Sequence, residues 1–508
     1  MFVGGPPTTY DQSVNSAVPD HEVLIVGAGF SGIGVAISLQ RAGIDDFAIV
    51  ESGDRFGGTW QWNTYPGVAV DIPSFSYQFS FERRSDWSRV YAPGAELRAY
   101  AENCATKYGL HAKARFNVRI DSAAFDEQAR IWRLTSQAGE ELTARHVVDA
   151  TGVLTHPKRP DIPGVDDFAG ATLHTARWDH SQTLAGKRVA VIGTGASAVQ
   201  VIPAIADEVA HLTVFQRTPI WCLPKYDAPI PPRARWLLGR VPGAGRMARV
   251  ASQSMVEFAF PIAAHYHRTL PVARLVEKQA RAFLKAEVRD PAVRDKLTPR
   301  YPLGCKRPSF HNEYLATFNR PDVHLETNAI ARIDANAVVT ADGQDHAADV
   351  LVLATGFKVF EPGNMPAYPV SGMGGADLQS FWSEHRHQAY EGVTVPGFPN
   401  YFTMFGPYGY NGSSYFNLIE TQARHVVRCL RHAKDRGATL VEVRPEANAR
   451  YFAEMLRRRN RQVFWQPGCS LANSYYFDVH GDVPLRPVPT LETAWRSRRF
   501  PLADYRFA

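Results

Sequence analysis

Two glycine-rich hexapeptides, each set between an apolar run and an amphipathic stretch, constrain this chain more than any other feature. The first follows Val23-Leu24-Ile25-Val26 and reads Gly27-Ala28-Gly29-Phe30-Ser31-Gly32. A short apolar run with no polar alternation fits a strand covered on both faces of a parallel sheet. Ile33, Ala36, Ile37 and Leu39 then recur as on one face of a helix, which the spacing stops near Gly43. Phe47–Val50 predicts a second strand, and Glu51 stands at its end. The glycines suit a dinucleotide turn: one bends the chain, one admits a pyrophosphate close to the backbone, one lets helix and strand touch. The helix N-terminus then offers its free N–H groups to the phosphates. Glu51 is placed to accept from a ribose hydroxyl, and its charge repels a 2′-phosphate.

The pattern recurs at Arg188–Ile192, followed by Gly193-Thr194-Gly195-Ala196-Ser197-Ala198, a helical stretch carrying Val199, Val201, Ile202 and Ile205, and a strand over 212–216. Alanine at the third position is compatible with the turn. No acid ends this second strand. Gln216-Arg217-Thr218 stands there instead, and a guanidinium beside a hydroxyl suits a 2′-phosphate through charge-assisted bonds. The first site therefore suits FAD or NAD, and the second NADPH. Gly57-Gly58-Thr59-Trp60, directly after the first unit, lets backbone lie along an extended ligand and favours FAD there.

The fold class is α/β, with two Rossmann-like dinucleotide-binding domains and a helical insertion. The expected division is a loose tail over 1–20, a discontinuous FAD-binding domain over 21–180 and 350–508, and an NADPH-binding domain over 181–349. Residues 228–298, rich in Arg, Ala and Leu with proline breaks, form the insertion, with an amphipathic membrane-surface patch as the alternative. Further strands are expected at 337–340 and 349–354. The run Arg457, Arg458, Arg459 and Arg461 reads as a solvated helix face.

With 508 residues and 45% hydrophobic content a sizeable core is expected, and a net charge of +6 does not call for nucleic acid. Cys104, Cys222, Cys305, Cys429 and Cys469 form no CxxC or zinc spacing. A disulfide framework is not expected, and a cytoplasmic setting is. No apolar run approaches the ~18 residues of a membrane span, and the first twenty residues lack the pattern of a signal peptide. His265-Tyr266-His267 and His385-Arg386-His387 have no third metal ligand at a telling spacing and read as solvated histidines.

Three further segments combine. Residues 57–71 read GGTWQWNTYPGVAVD, residues 168–179 read FAGATLHTARWD, and Asp149-Ala150-Thr151-Gly152 and Leu353-Ala354-Thr355-Gly356 each end an apolar strand. With these the sequence resembles the flavin-dependent class B monooxygenases, and within them the type I Baeyer–Villiger monooxygenases. Phe168, Gly170, His174, Trp178 and Asp179 fill the signature F-x-G-x-x-x-H-x-x-x-W-[P/D]. Gly57, Gly58, Trp60, Tyr65, Pro66, Gly67 and Asp71 match a second signature.

The resemblance implies a small-molecule ketone and O2 as substrates and an ester or lactone as product. NADPH reduces FAD, the reduced flavin adds dioxygen at C4a, and the resulting peroxide attacks the carbonyl. It places Arg307, in Gly304-Cys305-Lys306-Arg307-Pro308, as the active-site arginine, Asp71 as the carboxylate orienting it, and Lys306 beside the 2′-phosphate. The first signature runs through the link between the two nucleotide domains, so His174 reads as a residue coupling domain movement to catalysis, with direct proton transfer as the alternative, and Trp178 as packing. The resemblance puts Tyr408 and Tyr410 beside the flavin and Tyr475 where many relatives carry a tryptophan, so these tyrosines are candidates for the substrate pocket. Which ketone is used, and whether protein partners exist, is not legible. Two other readings stay open: oxygenation of nitrogen or sulfur, and an NADPH oxidase or binding flavoprotein that oxygenates nothing. No CxxxxC follows the first fold, which separates the chain from disulfide reductases of the same architecture.

Overall fold

The computed structural model describes residues 18–270 and 272–508. Of the expected tail, residues 1–17 lie outside the described residues.

The first unit forms β1 (His21–Val26), α1 (Phe30–Arg41) and β2 (Phe47–Val50). Successive side chains of a strand point to opposite faces, and both faces of β1 are covered. Val23 and Ile25 pack into one core with Ile33, Ala36 and Ile37 of α1. Leu24 and Val26 enter another, with Trp132 and Phe398. That double burial is why β1 reads as an unbroken apolar run.

Four more strands, β3 (Ala114–Arg115), β4 (Ile120–Asp126), β5 (Ile131–Ser136) and β6 (Glu141–Asp149), complete the spine of the first sheet. Its order is Val370–Ser371, β4, β5, β6, β1, β2, β3, with Tyr401–Thr403 also paired to β6. β6, β1, β2 and β3 run parallel, while β4, β5 and β6 are antiparallel.

The second sheet contains β7 (Ala171–His174), β8 (Arg188–Ile192) and β9 (His211–Phe215). Its order is Val323–Glu326, β9, β8, Val350–Leu353, β7, all parallel. In each sheet the first strand of the unit lies between its successor and a strand from later in the chain. The crevice where ligands bind open α/β sheets is therefore at the C-terminal end of β1 and of β8.

Ala171–His174 and Val350–Leu353, which the expected division places in the ranges 21–180 and 350–508, pair within the second sheet. The parallel ladder requires two crossovers, and these two strands close them on the far side of β8. The insertion is helical as read, over Pro232–Arg240, Ala244–Glu257, Val272–Glu287 and Pro291–Leu297.

The arginine run ends the helix Pro445–Arg459 and is not a solvated face throughout. Arg458 pairs with Glu454 at 3.2 Å and with Glu492 at 2.5 Å, and Arg459 pairs with Asp482. These acids come from beyond the helix or from its inner side, so the run alone could not reveal them.

Candidate active site

Both glycine turns open onto one cavity of about 2040 Å³. Pockets for a single small ligand run to about 300–1,000 Å³, so this one has room for more than one large molecule. Gly27, Gly29, Glu51, Gly58, Thr59 and Trp60 line one end.

Gly32 sits where a Cβ would lie 1.9 Å from the Gly27 carbonyl oxygen, so helix and turn touch there through backbone alone. Gly58, at φ +54°, abuts Gly29: its Cβ would lie 2.7 Å from the Gly29 Cα. The Gly57-Gly58 pair thus closes the first turn from outside, and the Gly57 N–H donates to the Ala28 carbonyl at 3.1 Å. Glu51 is buried. One carboxylate oxygen accepts from the Ala28 N–H and the other from the Gly53 N–H, both at 2.7 Å.

At the other end lie Gly193, Thr194, Gly195, Ser197, Arg217, Thr218 and Lys306. A Cβ on Gly195 would meet nothing within 4 Å, so the backbone is bare towards the cavity. The Thr194 hydroxyl donates to the Thr218 carbonyl at 2.8 Å and holds the two loops together. Lys306 is brought near Arg217 from a segment about ninety residues away. Burial, and then the charge of Arg217, push its ammonium down to about 8. Two neighbouring cations facing a cavity suit a multiply charged anion.

Between these ends lies Arg307. Its Nε and one terminal nitrogen donate to the same Asp71 oxygen, at 2.9 and 2.6 Å. Phe260, from the helical insertion, stacks over the guanidinium at 5.2 Å. Burial disfavours the charge, but Asp71 and then the phenols of Tyr476, Tyr475 and Tyr410 outweigh it, holding Arg307 well above its ordinary range. A guanidinium in such a setting is a permanent positive wall.

Gln200, on the helix Ala196–Ile205 of the second unit, clamps the segment that carries Asp71. It accepts from the Tyr65 hydroxyl at 2.8 Å and donates to the Ala69 carbonyl at 2.9 Å. Sequence reading missed Gln200, because a polar residue on an apolar helix carries no local sign of contacts 131 and 135 residues away. It also missed Asn473, whose amide oxygen, turned towards Arg217, accepts from Nε at 3.2 Å. Arg177 was missed too; it lines the cavity and stacks over Trp62 at 4.2 Å.

The five signature residues Phe168, Gly170, His174, Trp178 and Asp179 do not line the cavity. Phe168 is buried in a core behind the second sheet, and Trp178 packs beside the other core of that unit. A Cβ on Gly170 would strike the Asp349 carbonyl at 2.4 Å. Asp179 accepts from the N–H and hydroxyl of Ser181, bonds that lower its pKa. His174 ends β7. Its Nδ1 accepts from the Ala176 N–H at 3.0 Å, which places the proton of the neutral ring on Nε2, 3.3 Å from the Thr355 hydroxyl. That hydroxyl donates in turn to the Lys158 carbonyl. Burial lowers the His174 pKa. The ring thus joins both connections between the sheets and does not line the cavity.

Of the three pocket tyrosines, Tyr410 and Tyr475 line the cavity and Tyr408 does not. Tyr408 is 1% exposed and packs on Phe452, while its carbonyl accepts from the Tyr451 hydroxyl. Two residues on, the loop has turned, and Tyr410 points the other way, its hydroxyl donating to the Ser413 carbonyl at 2.7 Å.

The expected solvated histidines are also corrected. His265 is buried between the Asn411 carbonyl and Gln462, and burial takes it down to about 4. His387 is buried against Asp478 at 2.9 Å.

Cys305 and Cys469 form a disulfide, against the expectation of none, while Cys104, Cys222 and Cys429 are free and buried. The bond spans 164 residues and ties the Lys306-Arg307 segment to the loop carrying Asn473 and Tyr475. Cross-links over long loops typically contribute about 2–4 kcal/mol. The double variant Cys305→Ser/Cys469→Ser is therefore expected to melt several degrees lower, and dithiothreitol to shift the wild type but not the variant. Equal melting curves for both proteins would show that the bond is not formed.

A family described as pyridine nucleotide-disulphide oxidoreductase matches residues 24–241. A Baeyer-Villiger monooxygenase of Streptomyces coelicolor is 38% identical over 487 residues, covering 95% of this chain and 92% of its own. A Baeyer-Villiger monooxygenase of Pseudomonas aeruginosa is 38% identical, covering 90% and 86%. Among solved structures, the closed form of cyclohexanone monooxygenase superposes with a TM-score of 0.86 at 28% identity, covering 96% of this chain and 99% of that one. OTEMO in complex with FAD and NADP gives 0.85 at 26%, covering 97% and 100%. Two dinucleotide turns sharing one cavity, the signature segments between them in the chain, and identity running nearly end to end place this chain in the Baeyer–Villiger monooxygenase family.

Proposed function

We propose that this protein uses FAD and NADPH to insert one atom of O2 beside the carbonyl of a small-molecule ketone, giving an ester or lactone. The observation that carries this reading is a guanidinium held on one oxygen of Asp71, in the same cavity as both dinucleotide turns.

The residues fit the two cofactors. Gly27 and Gly29 present bare backbone and a helix N-terminus to the FAD pyrophosphate, and Gly32 lets that helix close on the turn. Glu51, already aligned by two N–H donors, keeps its remaining acceptor capacity for a ribose hydroxyl. Gly58, Thr59 and Trp60 flank the same ligand. Gly193, Gly195 and Ser197 take the NADPH pyrophosphate, and Arg217, Thr218 and Lys306 its 2′-phosphate. FAD, once reduced by NADPH, supplies activated dioxygen.

The chain's own residues then act on charge and water. Arg307 stabilises negative charge developing on oxygen, and it stays protonated at every working pH. Asp71 fixes its direction, with the two donors meeting one oxygen. Phe260, Tyr410 and Tyr475 reduce water access, which strengthens that interaction. The Tyr410 phenol, whose pKa burial raises, stays neutral. His174, through Thr355 and Lys158, transmits the relative position of the two sheets to the cavity. It is a positioning residue. With the first part of the FAD-binding fold ending near residue 155 and the NADPH-binding fold closing at Leu353, before the chain returns to the first sheet, these contacts sit at the seam.

Among the described residues no helix is long and apolar enough to cross a membrane. A cytoplasmic setting rests on the demand for NADPH and no longer on the cysteines.

The test is a ketone panel with mass analysis of products. A gain of one oxygen atom, matched to NADPH consumed, supports the reading. Turnover with amines or thioethers alone would move the protein to heteroatom oxygenation, and consumption balanced by hydrogen peroxide would make it an oxidase. A second test addresses the first turn. Gly32→Ala forces a Cβ against the Gly27 oxygen, so the protein is expected to emerge from gel filtration without flavin. Full retention of flavin would remove the assignment of that turn.

A further inference from the structure

Away from the cavity, three side chains converge without any role so far. His324 and Glu326 stand two apart on the strand Val323–Glu326, so they share one face of the strand at the edge of the second sheet. His346 comes from the middle of Asp345–Ala347, in the small antiparallel sheet with Ile330–Asp334 and Ala337–Thr340. One donor atom from each lies within 4.8 Å of the others.

The spacing is informative. Both imidazole Nε2 atoms lie 3.5 Å from the same Glu326 oxygen, Oε2. A charge-assisted hydrogen bond closes to about 2.7–2.9 Å, and these do not. The His346 Nε2 is buried and has no hydrogen-bond partner. An ion with ligands at about 2.0–2.2 Å in a tetrahedron separates those ligands by roughly 3.3–3.5 Å. The two histidine–glutamate separations are those of a coordination shell, and the two imidazole donors lie no more than 4.8 Å apart.

The surroundings hold the donors in place. Glu326 is buried, and its other oxygen, Oε1, accepts from the Thr327 and Asn328 N–H groups, both at 2.7 Å. That leaves Oε2 for the histidines. Phe215 stands edge-on against His346 at 5.3 Å, and the two histidine rings stack at 5.8 Å. His324 is exposed, so one side opens to solvent.

We propose that His324, Glu326 and His346 form a binding site for a divalent transition-metal ion of the zinc class, with water as fourth ligand. Two imidazoles and one carboxylate select such ions over magnesium or calcium. The ion sits behind Thr327–Ile330, which line the cavity. The Glu326 carbonyl accepts from the Gln216 N–H at 2.8 Å, one residue before Arg217. The site therefore braces the loop at the NADPH end of the cavity and takes no part in the oxygen chemistry.

The experiment uses untagged, FAD-loaded protein stripped with a chelator and dialysed against limiting Zn2+. One equivalent is expected to be retained, and the melting temperature to rise with zinc. Co2+ in its place is expected to give ligand-field bands beyond the flavin absorption. His324→Ala, His346→Ala and Glu326→Gln should each bind at least about tenfold more weakly and lose the thermal shift. His324 is exposed, and glutamine keeps an oxygen for the turn, so these two variants fold even if His346→Ala does not. Zinc uptake and thermal shift unchanged in His324→Ala and Glu326→Gln, or no uptake by the wild type, would overturn the site.

Discussion

Arg307→Ala is expected to reduce flavin with NADPH at the wild-type rate and to make ester at least about 100-fold more slowly. Removing one preorganised donor from a developing oxyanion typically costs 10²–10³ in rate, about 3–4 kcal/mol, and Arg307 brings a full charge as well. Its two bonds to Asp71 go to a single oxygen, at 2.9 and 2.6 Å, so the guanidinium keeps donors free for the cavity. Reduction depends on the two dinucleotides meeting, which this residue does not control. NADPH consumption in the variant should therefore appear as hydrogen peroxide. Arg307→Lys should not restore coupling, because an ammonium lacks the planar fork that meets both Asp71 and a ligand. Asp71→Asn should fall between, since the charge remains but loses its anchor. The pair is partly solvated, with side chains 17% and 29% exposed, so loss of fold is not the expected cause. Ester formed by Arg307→Ala at wild-type yield would remove the role assigned to Arg307.

The second large effect is at the other end of the cavity. Arg217→Ala should raise the KM for NADPH by about 10- to 100-fold and leave that for NADH nearly unchanged. A charge-assisted hydrogen bond contributes about 1.5–3 kcal/mol, and NADH has no 2′-phosphate to use it. The pH dependence carries a further sign. Burial and the charge of Arg217 bring Lys306 down to about 8 in the free enzyme. A phosphate dianion favours the charged ammonium, so binding raises that pKa and takes up a proton. NADPH affinity is then full below pH 8 and weakens as pH rises through that value, while NADH affinity does not follow. With Arg217 removed, one of the two depressing influences is gone, and the midpoint should move upward. Steady-state KM for both nucleotides across this range measures it. Parallel profiles for NADPH and NADH would show that neither cation reads the 2′-phosphate.

The candidate site was legible where its parts are local. The turns at 27–32 and 193–198 are strand-turn-helix units of about thirty residues, and their glycines and flanking apolar runs report them directly. Glu51 and Arg217 follow from position at a strand end. Arg307 and Asp71 were legible only through family resemblance, since 236 residues separate them and neither has a local mark. Tyr408 and Tyr410 show the limit within one loop. Both are aromatic residues in a glycine-rich stretch, and only the direction of the backbone, with Tyr408 at φ +56°, sends one into the core and the other to the cavity.

The sequence by itself determined that this chain carries two nucleotide folds of different phosphate preference, because steric and electrostatic needs at a βαβ turn are met by adjacent residues. Tertiary structure alone decided the assignment of β7 and Val350–Leu353 to the second sheet, the Gln200 clamp on the segment that carries Asp71, the Cys305–Cys469 bond and the meeting of His324, Glu326 and His346. Each of these depends on the relative placement of elements distant in sequence or in different sheets. That placement is set by how whole apolar faces pack together, a collective property that no short window of residues encodes.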